Sequence, residues 1–149
     1  MRHIISILVE NQFGVLARVS GLFSARGYNI DSLCVAETED PAVSRMTVVV
    51  RGDDKVLEQI EKQLKKLVET IEVVDLTGTA HVERELVMIR VKAKGKKRSE
   101  VIEIANIFRA KVVDLSPDSI VIEGTGSAGK VKAFIDMMRP FGIEELVRT

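Results

Sequence analysis

Residues 2–26, RHIISILVENQFGVLARVSGLFSAR, decide the fold of the first half of the chain. Residues 2–10 are rich in β-branched side chains and lead into a polar turn at 11–14, a pattern that predicts a strand. After the turn, apolar side chains recur at helical spacing, and Gly27 stands where a helix commonly ends. These apolar residues are Val15, Leu16, Val19, Leu22 and Phe23. The stretch therefore predicts a strand, a short turn and a helix in succession.

The rest of the chain extends this pattern and then repeats it. In the first half we predict further strands at 28–37, 44–51 and 71–76, with a second helix that is capped at residues 52–54 and carries apolar residues between 56 and 68. In the second half we predict strands at 85–93, 111–115, 119–123 and 143–147. Two helices separate them, one capped by Ser99 and one ended by Pro140. Each half therefore has the order β-α-β-β-α-β.

Two consecutive units of this order predict an α+β fold, namely two ferredoxin-like sandwiches with the helices on one face of an antiparallel sheet. We expect a first domain at 1–77, a linker at 78–82 and a second domain at 83–149. A domain of this size is marginally stable alone, so exposed sheet edges and faces are expected to be covered by another subunit.

The amino-acid composition argues against several classes of protein. The chain has 149 residues, with 22 Lys and Arg against 22 Asp and Glu, and this balance argues against a protein that coats nucleic acid or anionic lipid. No segment approaches the roughly 20 apolar residues of a membrane span, and the N-terminus has no signal-peptide pattern. The single cysteine, Cys34, cannot form an internal disulfide. We expect a cytoplasmic protein with neither a membrane nor a nucleic acid as partner.

The first candidate site is the turn between the first strand and the first helix. The unpaired N–H groups of Gly14, Val15 and Leu16 at the start of that helix would point at one spot and carry partial positive charge. A small carboxylate or phosphate could dock there, with room made by Gly14 and a side-chain amide offered by Asn11. The alternative is that Asn11 merely caps the helix and Gly14 merely forms a tight turn.

The second candidate is the start of the second strand. Asn29 and Asp31 alternate onto one side of that strand, and either could receive an ammonium group. The alternative is a helix end followed by a polar strand edge.

A glycine-rich segment at 124–130, GTGSAGK, matches the spacing of a dinucleotide-binding motif and most of a P-loop. Val131 stands where a P-loop has a hydroxyl residue, and only 20 residues follow Gly129, too few for the parallel βαβ unit and further strands that both motifs need. We therefore interpret the segment as a flexible, anion-friendly turn. We interpret the basic run at 94–98 as a solvated loop, since the chain has few aromatic residues that could stack on bases. Cys34 is predicted to be a small core residue. His3 and His81 have no Cys or His at the spacing of metal ligands, so we predict no metal site there.

A family resemblance becomes specific over residues 5–35, ISILVENQFGVLARVSGLFSARGYNIDSLCV, continued by residues 40–41 and 44–47. Together with VLEQIEKQL at 56–64 and AHVERE at 80–85, this stretch closely resembles the regulatory, or small, subunit of acetolactate synthase, also called acetohydroxyacid synthase. The resemblance covers essentially the whole chain and is densest over residues 1–90. It implies an N-terminal ACT domain, a ferredoxin-like module that binds amino acids, joined to a second domain of similar topology.

The resemblance implies an accessory role rather than catalysis. This chain would hold no cofactor and no metal, whereas its partner, the catalytic large subunit, would carry thiamine diphosphate, FAD and magnesium. That large subunit joins two pyruvates, or pyruvate and 2-ketobutyrate. The small subunit would raise its activity and confer feedback inhibition by a branched-chain amino acid, typically valine.

The resemblance also implies where the effector binds. In dimers of such domains the amino acid lies at the interface, held by first-turn amides of one chain and by the start of the second strand of the other. On this sequence the effector-binding residues would be Asn11, Gly14, Val15 and Leu16 of one chain with Asn29 and Ile30 of the partner. We therefore expect at least a homodimer whose ACT sheets pair edge to edge.

Two other classes of function stay open at this point. One is a free-standing amino-acid sensor that controls another enzyme or a transcription regulator, although no helix-turn-helix pattern or basic helix favours direct DNA contact. The other is a nucleotide-dependent enzyme that uses residues 124–130.

Overall fold

The structure is a computed structural model that describes residues 1–149. The chain divides into two compact units, Met1–His81 and Val82–Thr149, and the division falls within the segment 78–82.

The first unit contains the six elements in the predicted order. They are β1 (Arg2–Glu10), α1 (Val15–Ala25), β2 (Ile30–Glu37), β3 (Val43–Arg51), α2 (Asp54–Lys66) and β4 (Thr70–Asp75). The strands form one antiparallel sheet in the order β2-β3-β1-β4, so that β2 and β4 are its edges.

The core of the first unit lies between this sheet and its two helices. Alternate residues of β1, namely Ile5, Ile7 and Val9, are buried together with Val19 and Phe23 of α1 and with the apolar face of α2. The predicted cap of α2 is confirmed, since the Asp53 side chain accepts a hydrogen bond of 2.8 Å from the N–H of Lys55.

The second unit repeats the arrangement. Its elements are β5 (Glu85–Lys92), α3 (Lys96–Ile107), β6 (Lys111–Leu115), β7 (Ser119–Gly126), α4 (Ala128–Met138), a short 3₁₀ helix (Arg139–Phe141) and β8 (Ile143–Arg148). The sheet order is β6-β7-β5-β8 and all pairs are antiparallel. The apolar faces of α3 and α4 pack on one face of this sheet. The predicted fold class, two ferredoxin-like βαββαβ sandwiches, is confirmed.

Two local predictions in the second unit are wrong. Helix α3 begins at Lys96 behind Gly95, so Ser99 lies inside the helix and does not cap it. Gly95 starts the helix through its positive φ of 58° and not through a side-chain hydrogen bond, which is why a search for capping side chains misses it. The basic run at 94–98 is consequently mostly the first turn of α3, not a loop.

Cys34 is exposed and does not belong to the core, contrary to the sequence prediction. It pairs with Thr47 on β3, and Thr47 alternates with the core residues Met46 and Val48, so both side chains lie on the sheet face away from the helices. His3 is buried with its ring between two carboxylates, 2.8 Å from Asp54 and 3.4 Å from Asp75. No helix is long and apolar enough to span a membrane.

Candidate functional site

The turn between β1 and α1 presents backbone donors at a helix start that no side chain caps. Gly14 occupies the N-cap position in the left-handed conformation, with φ 83° and ψ −5°, which glycine adopts without strain. The N–H of Val15 has only a long contact of 3.5 Å, to the carbonyl of Gln12. N–H groups of a first helical turn lack partners within the helix and carry the positive end of its dipole. The turn can therefore offer amides to a small anion.

Asn11 does not cap α1, so the simpler of its two sequence interpretations does not hold. Its Nδ2 donates to the carbonyl of Pro41 at 2.9 Å and to Oε1 of Glu37 at 3.4 Å, while its backbone N–H donates to the carbonyl of Ala42 at 2.8 Å. Asn11 thus ties the turn to the end of β2 and to the connection between β2 and β3.

The two apolar residues that follow Gly14 differ in role. The Val15 side chain is buried in the core, which leaves its backbone N–H as the group that could meet a ligand. Leu16 is 44% exposed beside the same amides, and Phe13 before them is fully exposed. An apolar surface therefore lies next to the donors, as recognition of an amphipathic small molecule requires.

A cation that the sequence analysis missed lies over this turn. Nη1 of Arg18 is 3.2 Å from the position that a Cβ on Gly14 would occupy. Nη2 of the same guanidinium is paired with Oε1 of Glu69, the residue before β4. The helical spacing of four residues from Gly14 could have suggested Arg18, because long helical side chains lean toward the N-terminus. Glu69 could not be inferred, since 51 residues separate it from Arg18.

The start of β2 lies at the other end of α1. Asn29 is exposed and Ile30 half-buried, and both lie within five residues of the end of α1 at Ala25. An 11-residue helix is about 16 Å long, so Gly14 and Asn29 are far apart within one chain. Of the two polar residues considered for an ammonium group, Asp31 is paired with Arg51 at 2.8 Å, whereas Asn29 has no partner. One chain therefore does not bring the two predicted halves of the site together.

Tyr28 fixes the path of the chain between α1 and β2. Its hydroxyl donates to the carbonyl of Asp53 at 2.6 Å, and its ring covers Gly52 so closely that a Cβ there would stand 1.8 Å from Cε1. Desolvation and then the nearby Asp53 carboxylate raise the pKa of the Tyr28 hydroxyl above its ordinary value. This contact anchors the start of β2 to the end of β3.

The strand β2 is an edge with apolar side chains. Its one neighbour in the sheet is β3, and Leu33 and Val35 are 38% and 40% exposed. An edge of this kind presents unpaired backbone groups that can pair with another chain.

Residues 124–130 lack the structural setting of both nucleotide motifs, and Gly124 and Gly126 have packing roles. The strand before them, β7, pairs in antiparallel fashion, whereas both nucleotide motifs need a parallel βαβ unit. A Cβ on Gly124 would meet the Phe134 ring at 3.2 Å, and Gly126 lies under the stem of Lys130. Nζ of Lys130 donates to the carbonyl of Thr125 at 3.0 Å, and Ser127 caps α4. The segment is a capped helix start, not the anion-friendly turn expected from its composition.

Two family profiles match the chain. The profile described as the small subunit of acetolactate synthase matches residues 84–149, and the profile described as the AHAS small subunit-like ACT domain matches residues 5–72.

Known proteins are similar along the whole length of the chain. A protein of Archaeoglobus fulgidus named "Probable acetolactate synthase small subunit" is 60% identical over 100% of this chain and 93% of its own. The acetolactate synthase isozyme 3 small subunit of Escherichia coli is 50% identical over 93% of this chain and 85% of its own. The crystal structure of the acetolactate synthase small subunit from Thermotoga maritima matches with a TM-score of 0.90 and 42% identity, and it covers 100% of this chain and 93% of that one.

Proposed function

This chain belongs to the family of acetolactate synthase small subunits, and from that premise we propose that it activates the catalytic large subunit and confers feedback inhibition by a branched-chain amino acid, valine foremost. Membership of this family, with an ACT domain at residues 5–72, supports a regulatory role and implies the large subunit as partner. The identity of the effector and the two effects on the large subunit are the proposal.

The observation that carries the proposal is the uncapped turn at Gly14. A free α-amino acid brings a carboxylate, and a helix start with unoccupied amides favours an anion of that size. The exposed Leu16 beside these amides favours an apolar side chain on the same ligand. A branched-chain amino acid satisfies both conditions, and Asn11, Gly14, Val15 and Leu16 are the residues we assign to it.

The second half of the site comes, in this proposal, from a partner chain. If two copies of β2 pair antiparallel about a two-fold axis, the start of one strand lies opposite the end of the other. Strand β2 has eight residues and is about 26 Å long, and its end at Glu37 contacts Asn11 beside the Gly14 turn. Asn29 and Ile30 of the partner would thereby approach the turn that their own chain cannot reach. The apolar, unpaired edge of β2 supports such a homodimer.

Catalysis and its cofactors are assigned to the large subunit. We propose that thiamine diphosphate, FAD and magnesium are bound there and that this chain holds none of them. The packing roles of Gly124, Gly126 and Lys130 support this division, because the one segment that resembles a cofactor motif is used for core packing and helix capping.

The test is reconstitution with the large subunit of the same organism. The rate of acetolactate formation is measured with and without this chain while valine, isoleucine and leucine are each titrated. Binding of the same amino acids to this chain alone is measured by calorimetry. We expect the chain to raise the rate and at least one of the three amino acids to reverse that gain. A rate that does not respond to the chain, or a chain that binds none of the three, would refute the proposal.

A further inference from the structure

The guanidinium of Arg18 is held directly beside the amides of the Gly14 turn. Arg18 lies one helical turn after Gly14, and its backbone N–H donates to the Gly14 carbonyl at 3.1 Å. Its side chain leans back over that turn until Nη1 reaches contact distance, 3.2 Å, from the Cβ position of Gly14. A carboxylate bound to the first-turn amides would therefore meet a full positive charge as well.

Glu69 binds one terminal nitrogen of this guanidinium and leaves the other free to bind a ligand. Oε1 of Glu69 pairs with Nη2 of Arg18, whereas Nη1 and Nε have no partner in the chain. The Glu69 side chain is 16% exposed, and its backbone carbonyl accepts the N–H of Glu10 at 2.8 Å, so Glu69 is fixed at the entrance to the turn. Arg18 is 45% exposed and thus accessible to a ligand from solvent.

The positive charge of Arg18 offsets the negative charge of Glu69 at this turn. Without its cation, the Glu69 carboxylate would repel a second carboxylate that approached the same amides. With Arg18 in place the Arg18–Glu69 pair is neutral overall, and Nη1 of Arg18 can donate a charge-assisted hydrogen bond.

We propose that Arg18 binds the carboxylate of the effector and that Glu69 is the positioning residue that holds Arg18 over the turn. This inference rests on the effector site proposed above. It adds a charged ligand-binding residue to a site otherwise made of backbone amides and uncharged side chains, and it predicts that the site selects free amino acids over derivatives without a carboxylate.

The experiment compares valine with valinamide, which lacks the carboxylate, as inhibitors of the reconstituted enzyme and as calorimetric ligands of this chain. Arg18→Gln removes the charge and Arg18→Lys keeps it. The matched control is Arg148→Gln, because Arg148 pairs with Glu85 at 2.8 Å and the two side chains are 43% and 16% exposed, nearly as in the pair at the turn. Thermal denaturation verifies that each variant is folded.

We expect Arg18→Gln to weaken valine binding by about 10-fold to 100-fold, as the loss of one charge-assisted hydrogen bond implies. Binding of valinamide should change far less, Arg18→Lys should retain part of the preference for valine, and Arg148→Gln should behave as the wild type. Glu69→Gln should lower the preference for valine over valinamide, because Arg18 loses its anchor.

Each contrary result has a distinct meaning. If the wild type binds valine and Arg18→Gln binds it equally well, the role of Arg18 is refuted while the effector site stands. If Arg18→Gln loses valine and valinamide to the same extent, Arg18 is structural and the inference is again refuted. If the wild type binds neither valine, isoleucine nor leucine, the proposed function fails, and the inference fails with it.

Discussion

Replacing Gly14 by Asp should abolish inhibition by valine while activation of the large subunit largely survives. The new carboxylate would stand at the N-cap of α1, where it would accept the first-turn N–H bonds and fill the space of the effector's carboxylate. Because Nη1 of Arg18 lies 3.2 Å from the new Cβ, the aspartate would also pair with that guanidinium. The first-turn N–H groups and the Arg18 guanidinium would then both be occupied by the new aspartate.

The Gly14→Asp change affects the free energy of effector binding and the free energy of folding by different amounts. The loss of two charge-assisted hydrogen bonds, at about 1.5–3 kcal/mol each, weakens effector binding by about 100-fold or more. The left-handed φ of 83° adds a folding cost of about 1–2 kcal/mol for a residue with a Cβ. That cost is small against the roughly 5–15 kcal/mol by which a domain is stable, so the subunit should fold and dock. The melting temperature should fall by roughly 4–8 °C per kcal/mol.

The assay is the reconstituted reaction with valine titrated against the rate, together with the melting temperature of each variant. Gly14→Ala carries the same backbone strain without the new charge, and it should retain more of the valine response than Gly14→Asp. Gly78→Asp is the control for strain and charge away from the turn, since Gly78 has a φ of 78° and open space around its Cβ position. We expect Gly78→Asp to activate and to respond to valine as the wild type does.

Two results would refute this reasoning. If Gly14→Asp activates the large subunit and remains fully sensitive to valine, the effector binds elsewhere. If Gly14→Asp and Gly14→Ala both fail to activate although they are folded, the turn serves docking and the separation of the two roles is wrong.

Three further changes test other parts of the molecule. Val35→Lys on the open edge β2 should dissociate the proposed homodimer in sedimentation velocity, because two-fold pairing would bring the new charges together. Ile71→Lys on the opposite edge β4, at a side chain 54% exposed, should leave the homodimer intact, and equal behaviour of the two variants would contradict pairing through β2. Gly52→Ala should lower the free energy of unfolding by about 1–3 kcal/mol in denaturant titration, since its Cβ would overlap the Tyr28 ring at 1.8 Å, and unchanged stability would show that the ring moves without cost. Lys130→Ala should leave the valine response unchanged, and ATP or NAD binding that disappears in this variant would reverse our assignment of that segment.

The order of elements could be predicted because strand and helix periodicities are local properties of the sequence. The cap of α2 could be predicted for the same reason, since the Asp53 side chain accepts from the N–H of Lys55, only two residues away. What the sequence could not supply is the neighbour of each strand. Cys34 has the surroundings of a core strand in the sequence, but the sheet order makes β2 an edge, and that order depends on pairing between distant segments.

The residues of the candidate site could likewise be predicted only where their signal is local in the sequence. Gly14 could be selected from its position between a strand and a helix, and its left-handed φ agrees with the choice of glycine there. The alternative role of Asn11 as a cap could not be excluded, because its partners at Pro41 and Glu37 belong to another part of the chain. Arg18 has no local signature that separates it from an ordinary exposed helical arginine until Glu69 is seen beside it.

The second unit shows that this fold does not by itself leave first-turn amides without partners. It repeats the strand, glycine and helix of the first unit, with Gly95 at the N-cap and a positive φ. There, however, the N–H groups of Lys97 and Arg98 donate to carbonyls of the turn at 3.2 Å. The adjacent cavity is lined by the lysines Lys92, Lys94 and Lys97 as well as by Asp118 and Glu144. An amino acid's carboxylate would therefore find these two backbone donors already occupied. On the proposed function we therefore expect the effector to bind the first unit and not the second, because the first-turn N–H of Val15 has only a long contact of 3.5 Å whereas those of Lys97 and Arg98 are bonded within their turn.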